Sequence, residues 1–166
     1  TGKVWGEAVE AGCGEVVRGW GGRAAGVGGW GGVRALGVGC VGAGGEARGG
    51  GGEALARLVQ IDMAGLDARL HECVIEVACD VDNPLTGPRG AAAVFGPQKG
   101  ATPAMVEALE RGLVNYARVL EALTGDDLST LAGGGAAGGM GIAAGVLLGA
   151  ELKPGIDIVL SAGKLE

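Results

Sequence analysis

Thirty-eight of the 166 residues are glycine, and they gather in two stretches, the first 52 residues and residues 133–149. Glycine averages roughly 7% of ordinary chains, and each one adds backbone entropy that ordering must overcome. Both stretches therefore read as loops or close-packed turns, and the regular framework has to come mainly from what lies between them. Aromatic residues make up only 3% of the chain, so the core must be aliphatic. A chain of this length reads as one domain over residues 1–166, able to bury roughly 70% of its unfolded surface.

Hydrophobic spacing predicts a helix over residues 2–11, where Val4, Ala8 and Ala11 recur, then a short strand over 15–20 ended by glycines. Residues 37–52 hold too many glycines for an element and are expected to form an irregular loop. A short helix over 53–59 and a buried strand over 73–79 follow. The clearest element comes after Thr102, a good N-cap residue, with Pro103 at the first helical position. Met105, Leu109, Leu113, Tyr116, Leu120 and Leu123 recur every three or four residues and predict one inward face. That leaves Glu107, Glu110, Arg111, Arg118 and Glu121 mainly toward water, and Gly125 supplies the stop. A second helix is expected over 139–148, with Gly141, Gly145 and Gly149 on one side for close packing, and the tail from 154 to 160 reads as helix. Elements of both kinds place the chain in the α/β class, a single α/β domain with Gly-rich loops.

No run reaches the roughly 18 apolar residues a membrane span needs. The chain opens Thr1-Gly2-Lys3 rather than with a charged and then apolar leader, so a cytoplasmic protein without a membrane partner is expected. A net charge of −6 argues against a nucleic-acid surface. Cys13, Cys40, Cys73 and Cys79 form no CxxC pair, and with His71 as the single histidine they make a poor metal set; buried reduced thiols are the expectation. One histidine, expected to be exposed, also leaves no credible Ser-His-Asp or Cys-His arrangement. GxGxxG occurs at residues 26–31 and 37–42, as chance allows in so glycine-rich a region, and no GxxxxGK[ST] pattern is present.

The stretch richest in chemistry runs from residue 73 to 102. An apolar strand, Cys73-Val74-Ile75-Glu76-Val77-Ala78, leads into Cys79-Asp80-Val81-Asp82-Asn83-Pro84-Leu85-Thr86-Gly87, and Phe95-Gly96-Pro97-Gln98-Lys99-Gly100-Ala101-Thr102 follows. Polar groups just past a stiff strand are held in place yet stay reachable. On an extended chain Asp80 and Asp82 point to the same side, where two carboxylates could hold Mg2+ or take a proton from an attacking hydroxyl. Asp82-Asn83-Pro84 reads equally well as an Asx-type turn leaving a strand. Lys99 suits a phosphate or carboxylate, with Gln98 beside it as an uncharged donor and Gly96 and Gly100 allowing close approach; a solvated surface lysine is the bland alternative. Arg89, in Gly87-Pro88-Arg89-Gly90, is a further candidate cation. The run 133–141 ahead of an apolar helix could cradle an anion with backbone N–H groups.

These motifs resemble those of the bacterial glycerate kinase family, enzymes that move the terminal phosphate of ATP onto glycerate. Residues 80–85 and 95–102 are similar to the family's DVDNPL…FGPQKGAT, and residues 133–141 and 148–156 to its GAGAAGGMG and LGAEL-PGI, in the same order and spacing. The match runs from about residue 52 to about residue 160. The family also carries a polar GGSATNDGG loop; in the corresponding run, residues 21–29, its serine, threonine, asparagine and aspartate positions hold Arg23, Ala25, Gly26 and Val27.

The resemblance implies a two-domain enzyme, with a flavodoxin-like domain formed from both chain ends and a second domain inserted in the middle. The chain is expected to be that inserted domain, a fragment of the larger kinase. ATP and Mg2+ are the implied cofactors and glycerate the implied substrate. Under the resemblance Asp80 or Asp82 orients the hydroxyl or the metal. Asn83, Arg89, Gln98 and Lys99 bind anionic oxygens, and the loop at Gly138 and Gly139 helps close the site. The alternative is a non-catalytic α/β binding or assembly module derived from such a kinase, since the polar loop is replaced. An NAD-dependent dehydrogenase is a more distant reading.

Overall fold

A computed structural model describes residues 37–43, 45–46 and 52–163. The helix expected over 2–11, the strand over 15–20, the 21–29 loop and Cys13 lie outside the described residues.

The glycine-rich stretch after residue 37 carries strands where an irregular loop was expected. β1 (Gly39–Gly42) lies between β2 (Gly45–Glu46) and β3 (Leu58–Asp62) and runs antiparallel to both, with Cys40 opposite Ile61. The physical reason is burial: Val38 and Cys40 are 2% and 8% exposed, and they supply the apolar anchoring that the glycines lack. Helix α1 (Gly52–Ala56) is shorter than the helix expected over 53–59, because the nearly fully buried Leu58 starts β3 instead.

The expectation for residues 73–79 is also corrected. The strand proper, β4 (Glu76–Ala78), has two exposed residues of its three, and Ile75 alone of the segment is buried. β4 pairs in parallel with the three-residue β5 (Glu151–Lys153), a two-stranded sheet among the described residues.

Helix α2 (Ala91–Phe95), helix α3 (Pro103–Thr124), helix α4 (Met140–Leu148) and helix α5 (Gly155–Gly163) complete the described framework. α3 keeps its expected ends. The Thr102 hydroxyl accepts from the Met105 N–H at 3.3 Å, and Gly125 closes the helix at φ 83°, a left-handed conformation that favours glycine. Leu113, Tyr116 and Leu120 face inward as expected. Met105 and Leu123, at the helix ends, are exposed instead, while Glu110 and Glu121 turn back onto loops: Glu121 accepts from the Leu128 N–H at 3.2 Å.

The main core joins Val38, Leu55, Leu58 and Ile61 to Leu85, the inner face of α3, and Ile142 and Leu147 of α4. Asn115 ties α3 to this layer by donating to the carbonyls of Leu55 at 2.7 Å and Leu58 at 2.8 Å. Gly141 packs as expected, since a Cβ there would lie 2.0 Å from the Gly133 carbonyl oxygen, whereas Gly149 ends α4 at φ 63°. No helix among the described residues is long and apolar enough to cross a membrane.

Candidate active site

Between β4 and α2 the chain makes a tight loop that the glycine run grips from below. The Gly135 N–H donates to the Asn83 carbonyl at 3.0 Å, and a Cβ on Gly135 would sit 2.2 Å from the Pro84 carbonyl oxygen. A Cβ on Gly133 would touch Cys79 Sγ at 3.1 Å, and one on Gly139 would meet Leu85 Cδ1 at 2.9 Å. Gly135 thus meets the loop at a distance no other residue permits, while Gly133 and Gly139, at φ 76° and 100°, make close contacts in a backbone conformation that favours glycine. Gly138 and Gly139 are themselves buried, and their N–H groups donate to the Gly135 and Ala136 carbonyls. In this turn the two glycines contribute close approach beneath Leu85, with their own donors already engaged.

Above this platform the candidate side chains are exposed. Asp82 and Arg89 form an ion pair at 2.9 Å, with side chains 77% and 70% exposed. Asn83 holds the same turn by donating from Nδ2 to the Arg89 carbonyl at 2.8 Å. The structure therefore brings Asp82, Asn83 and Arg89 together through direct bonds. An exposed pair of this kind contributes under about 1 kcal/mol, so a ligand that supplies its own carboxylate and hydroxyl can open it at little cost.

Asp80 takes a different partner. Its Oδ1 accepts from the Gly155 N–H at 2.8 Å, which places a carboxylate at the first turn of α5, where helix N–H groups favour negative charge. Cys79 Sγ donates to the Val81 carbonyl at 3.1 Å between them. Gln98 and Lys99 stand on a 3-10 turn, Pro97–Lys99, closed by Gly100 at φ 88°. Both are exposed; the Lys99 N–H donates to the Gly96 carbonyl at 3.0 Å, and neither side chain is bonded to another described residue. α2, five residues long and so about 7.5 Å in rise, separates them from Arg89.

Hard oxygen ligands suit Mg2+, which commonly uses one or two carboxylates and completes its shell with water and phosphate. Asp82 and the second oxygen of Asp80 are oxygen ligands of that kind, on carboxylates held by different partners, Arg89 and the Gly155 N–H. No cluster of three or more His, Cys, Asp or Glu side chains suited to a metal occurs among the described residues. His71 is exposed on the 3-10 turn Ala68–Glu72, as expected; Cys40 is buried, while Cys73 and Cys79 are only partly buried.

One contributor to the site escapes sequence reasoning. Glu110, on α3, accepts from the Gly87 N–H at 2.6 Å. Its partner is 23 residues away, beyond any helical spacing rule, and an acidic residue on an amphipathic helix reads by default as solvent-facing.

Comparison with known proteins gives the family. The family model described as "Glycerate kinase family" matches residues 1–166. The chain is similar to "Glycerate 2-kinase" of Escherichia coli K12, 49% identical over all of this chain and 44% of that protein. It is also similar to "Glycerate kinase" of Bacillus subtilis 168, 48% identical over all of this chain and 44% of that protein. A crystal structure from Salmonella typhimurium LT2, described as a glycerate kinase 2, superposes with a TM-score of 0.78 at 54% identity, over 82% of this chain and 36% of that one. The chain thus spans less than half the length of these relatives.

Proposed function

The chain belongs to the glycerate kinase family, and from that premise we propose that it forms the substrate-binding part of an ATP-dependent kinase that converts glycerate to phosphoglycerate. The complete kinase, a polypeptide of the relatives' length with a second domain, provides the remainder of the cleft. The observation that carries this reading is the exposed Asp82–Arg89 pair on its glycine-held loop. A small hydroxy acid presents an accepting carboxylate and a donating hydroxyl on neighbouring carbons. Arg89 and Asp82 present the complementary donor and acceptor 2.9 Å apart.

In the proposed reaction Arg89 leaves Asp82 to bind the glycerate carboxylate, and Lys99 with Gln98 binds anionic oxygens at the far end of α2. Asp82 accepts the proton of the attacking hydroxyl as its oxygen bonds to the terminal phosphorus and the bond from that phosphorus to the ADP oxygen breaks. Asp80 and Asp82 would hold Mg2+, which would neutralise charge on the transferred group. Asn83 and the Gly138–Gly139 turn keep the loop in register.

A coupled ADP-release assay with glycerate, ATP and Mg2+ tests the proposal, run on this chain and on the complete kinase beside a no-glycerate control. Glycerate-dependent release by the complete kinase is the expected result. If the complete kinase binds glycerate without releasing ADP, the non-catalytic binding module becomes the better description.

A further inference from the structure

We propose that Glu110 is the positioning residue of the Asp82–Arg89 pair, acting from α3 through the backbone of Gly87; the inference rests on the substrate-binding role given to that pair. Residues 85–90 make a turn that closes on itself. The Gly90 N–H donates to the Gly87 carbonyl at 2.8 Å, the Ala91 N–H donates to the Leu85 carbonyl at 3.1 Å, and Asn83 holds the Arg89 carbonyl. Such a turn can rotate as a unit unless something outside holds it. Among the described residues, Glu110 is the only hydrogen-bond partner of residues 85–90 that lies outside residues 82–94.

The bond is built to hold. Glu110 is half-buried and the contact is short at 2.6 Å, both of which favour it relative to the exposed ion pair above. Its second oxygen, Oε2, is buried with no hydrogen-bond partner among the described residues, an arrangement that costs stability. Gly87 sits at φ 88°, so its N–H is aimed at α3 by a backbone conformation other residues rarely adopt. Arg89 follows two residues later, and Leu85, fully buried, precedes by two. Leu85 fixes where the turn enters and Glu110 fixes how it is oriented. Together they set the direction in which Arg89 leaves the surface.

The test is made in the complete kinase with Glu110→Met, which fills similar space but offers no oxygen acceptor, and Glu110→Gln, whose amide oxygen still accepts. Two readouts are taken: the KM for glycerate against kcat, and amide hydrogen exchange at Gly87. Glu110→Met is expected to raise KM about tenfold or more with a smaller change in kcat, and to speed exchange at Gly87. Glu110→Gln is expected to restore most of both. A purely structural role would lower the amount of folded enzyme, and so kcat, at unchanged KM. That result, unchanged exchange at Gly87 in Glu110→Met, or a Gln variant no better than the Met variant would overturn the proposal. Glu110→Ala replaces Glu110→Met if the latter does not fold. Absence of glycerate turnover in the unsubstituted kinase would count against the kinase reading, while exchange at Gly87 would still decide whether Glu110 holds the turn.

Discussion

The body around α3 and the rim formed by β4, β5 and α5 are held together in different ways. In the body Leu55, Leu85, Leu113, Tyr116, Leu120 and Ile142 are at most 1% exposed and belong to one continuous cluster. On the rim the buried set is small, Leu70, Ile75, Ala144 and Ala150, while Val74, Ile156 and Val159 stand 77%, 62% and 61% exposed. The candidate site straddles the two. Leu85 and Glu110 root its loop in the body, whereas Asp80 reaches to the rim at Gly155. The loop is anchored at one end by core packing and at the other by polar contacts to the rim, the Gly155 N–H to Asp80 and the Cys79 N–H to the Lys153 carbonyl, each at 2.8 Å.

The largest expected effect tests that contrast. Leu120→Ala, in the body, should lower stability by about 3 kcal/mol, while Ile156→Ala on α5 should change it by less than about 0.5 kcal/mol. Chemical denaturation of the complete kinase reads both, and similar losses at the two positions would break the distinction. Next in size, Asn115→Ala strands the carbonyls of Leu55 and Leu58 and should cost about 1 to 2 kcal/mol in the same measurement.

Much of the body was legible because its signals are local. Thr102, Pro103 and Gly125 mark the ends of α3 within a residue or two, and the three-and-four spacing of Leu109, Leu113, Tyr116 and Leu120 names its inner face. The loop at 80–87 stood out as a candidate site for the same reason: carboxylates and glycines directly follow an apolar strand. The antiparallel β1–β3 ladder was not, since its pairing joins residues about twenty apart and its glycines carry no side-chain signal. Glu110 and the platform of Gly133, Gly135 and Gly139 were hidden likewise, their purpose lying in contacts with residues distant in sequence. The divergence of Asp80 and Asp82 onto separate partners also depends on where Gly155 comes to rest.

Two titrations sharpen the comparison with smaller effects. Burial pushes the Tyr116 phenol well above its usual range, with Cys40 adding to the shift. The unfolded chain gives up that proton near pH 10, so stability should fall as pH rises beyond it. Since Tyr116 is the single tyrosine of this sequence, phenolate absorbance should appear together with unfolding and not before. At a surface turn, the Arg69 side chain, followed by its backbone N–H, holds the Asp67 carboxyl down at about 2. A depressed carboxyl contributes stability above its ordinary value and loses it as pH falls toward about 2, which an NMR titration of Asp67 would register. Arg69→Ala should return the midpoint toward 3.8.

The most direct test of the account is glycerate-dependent ADP release by the complete kinase carrying Asp82→Asn, with thermal unfolding measured alongside. Because Asp82 is exposed, the melting temperature should hardly move, while kcat/KM should fall about a hundredfold or more if its carboxylate takes the hydroxyl proton. Normal turnover in that variant would contradict the role given to Asp82 and, with it, the placement of the reaction on this loop.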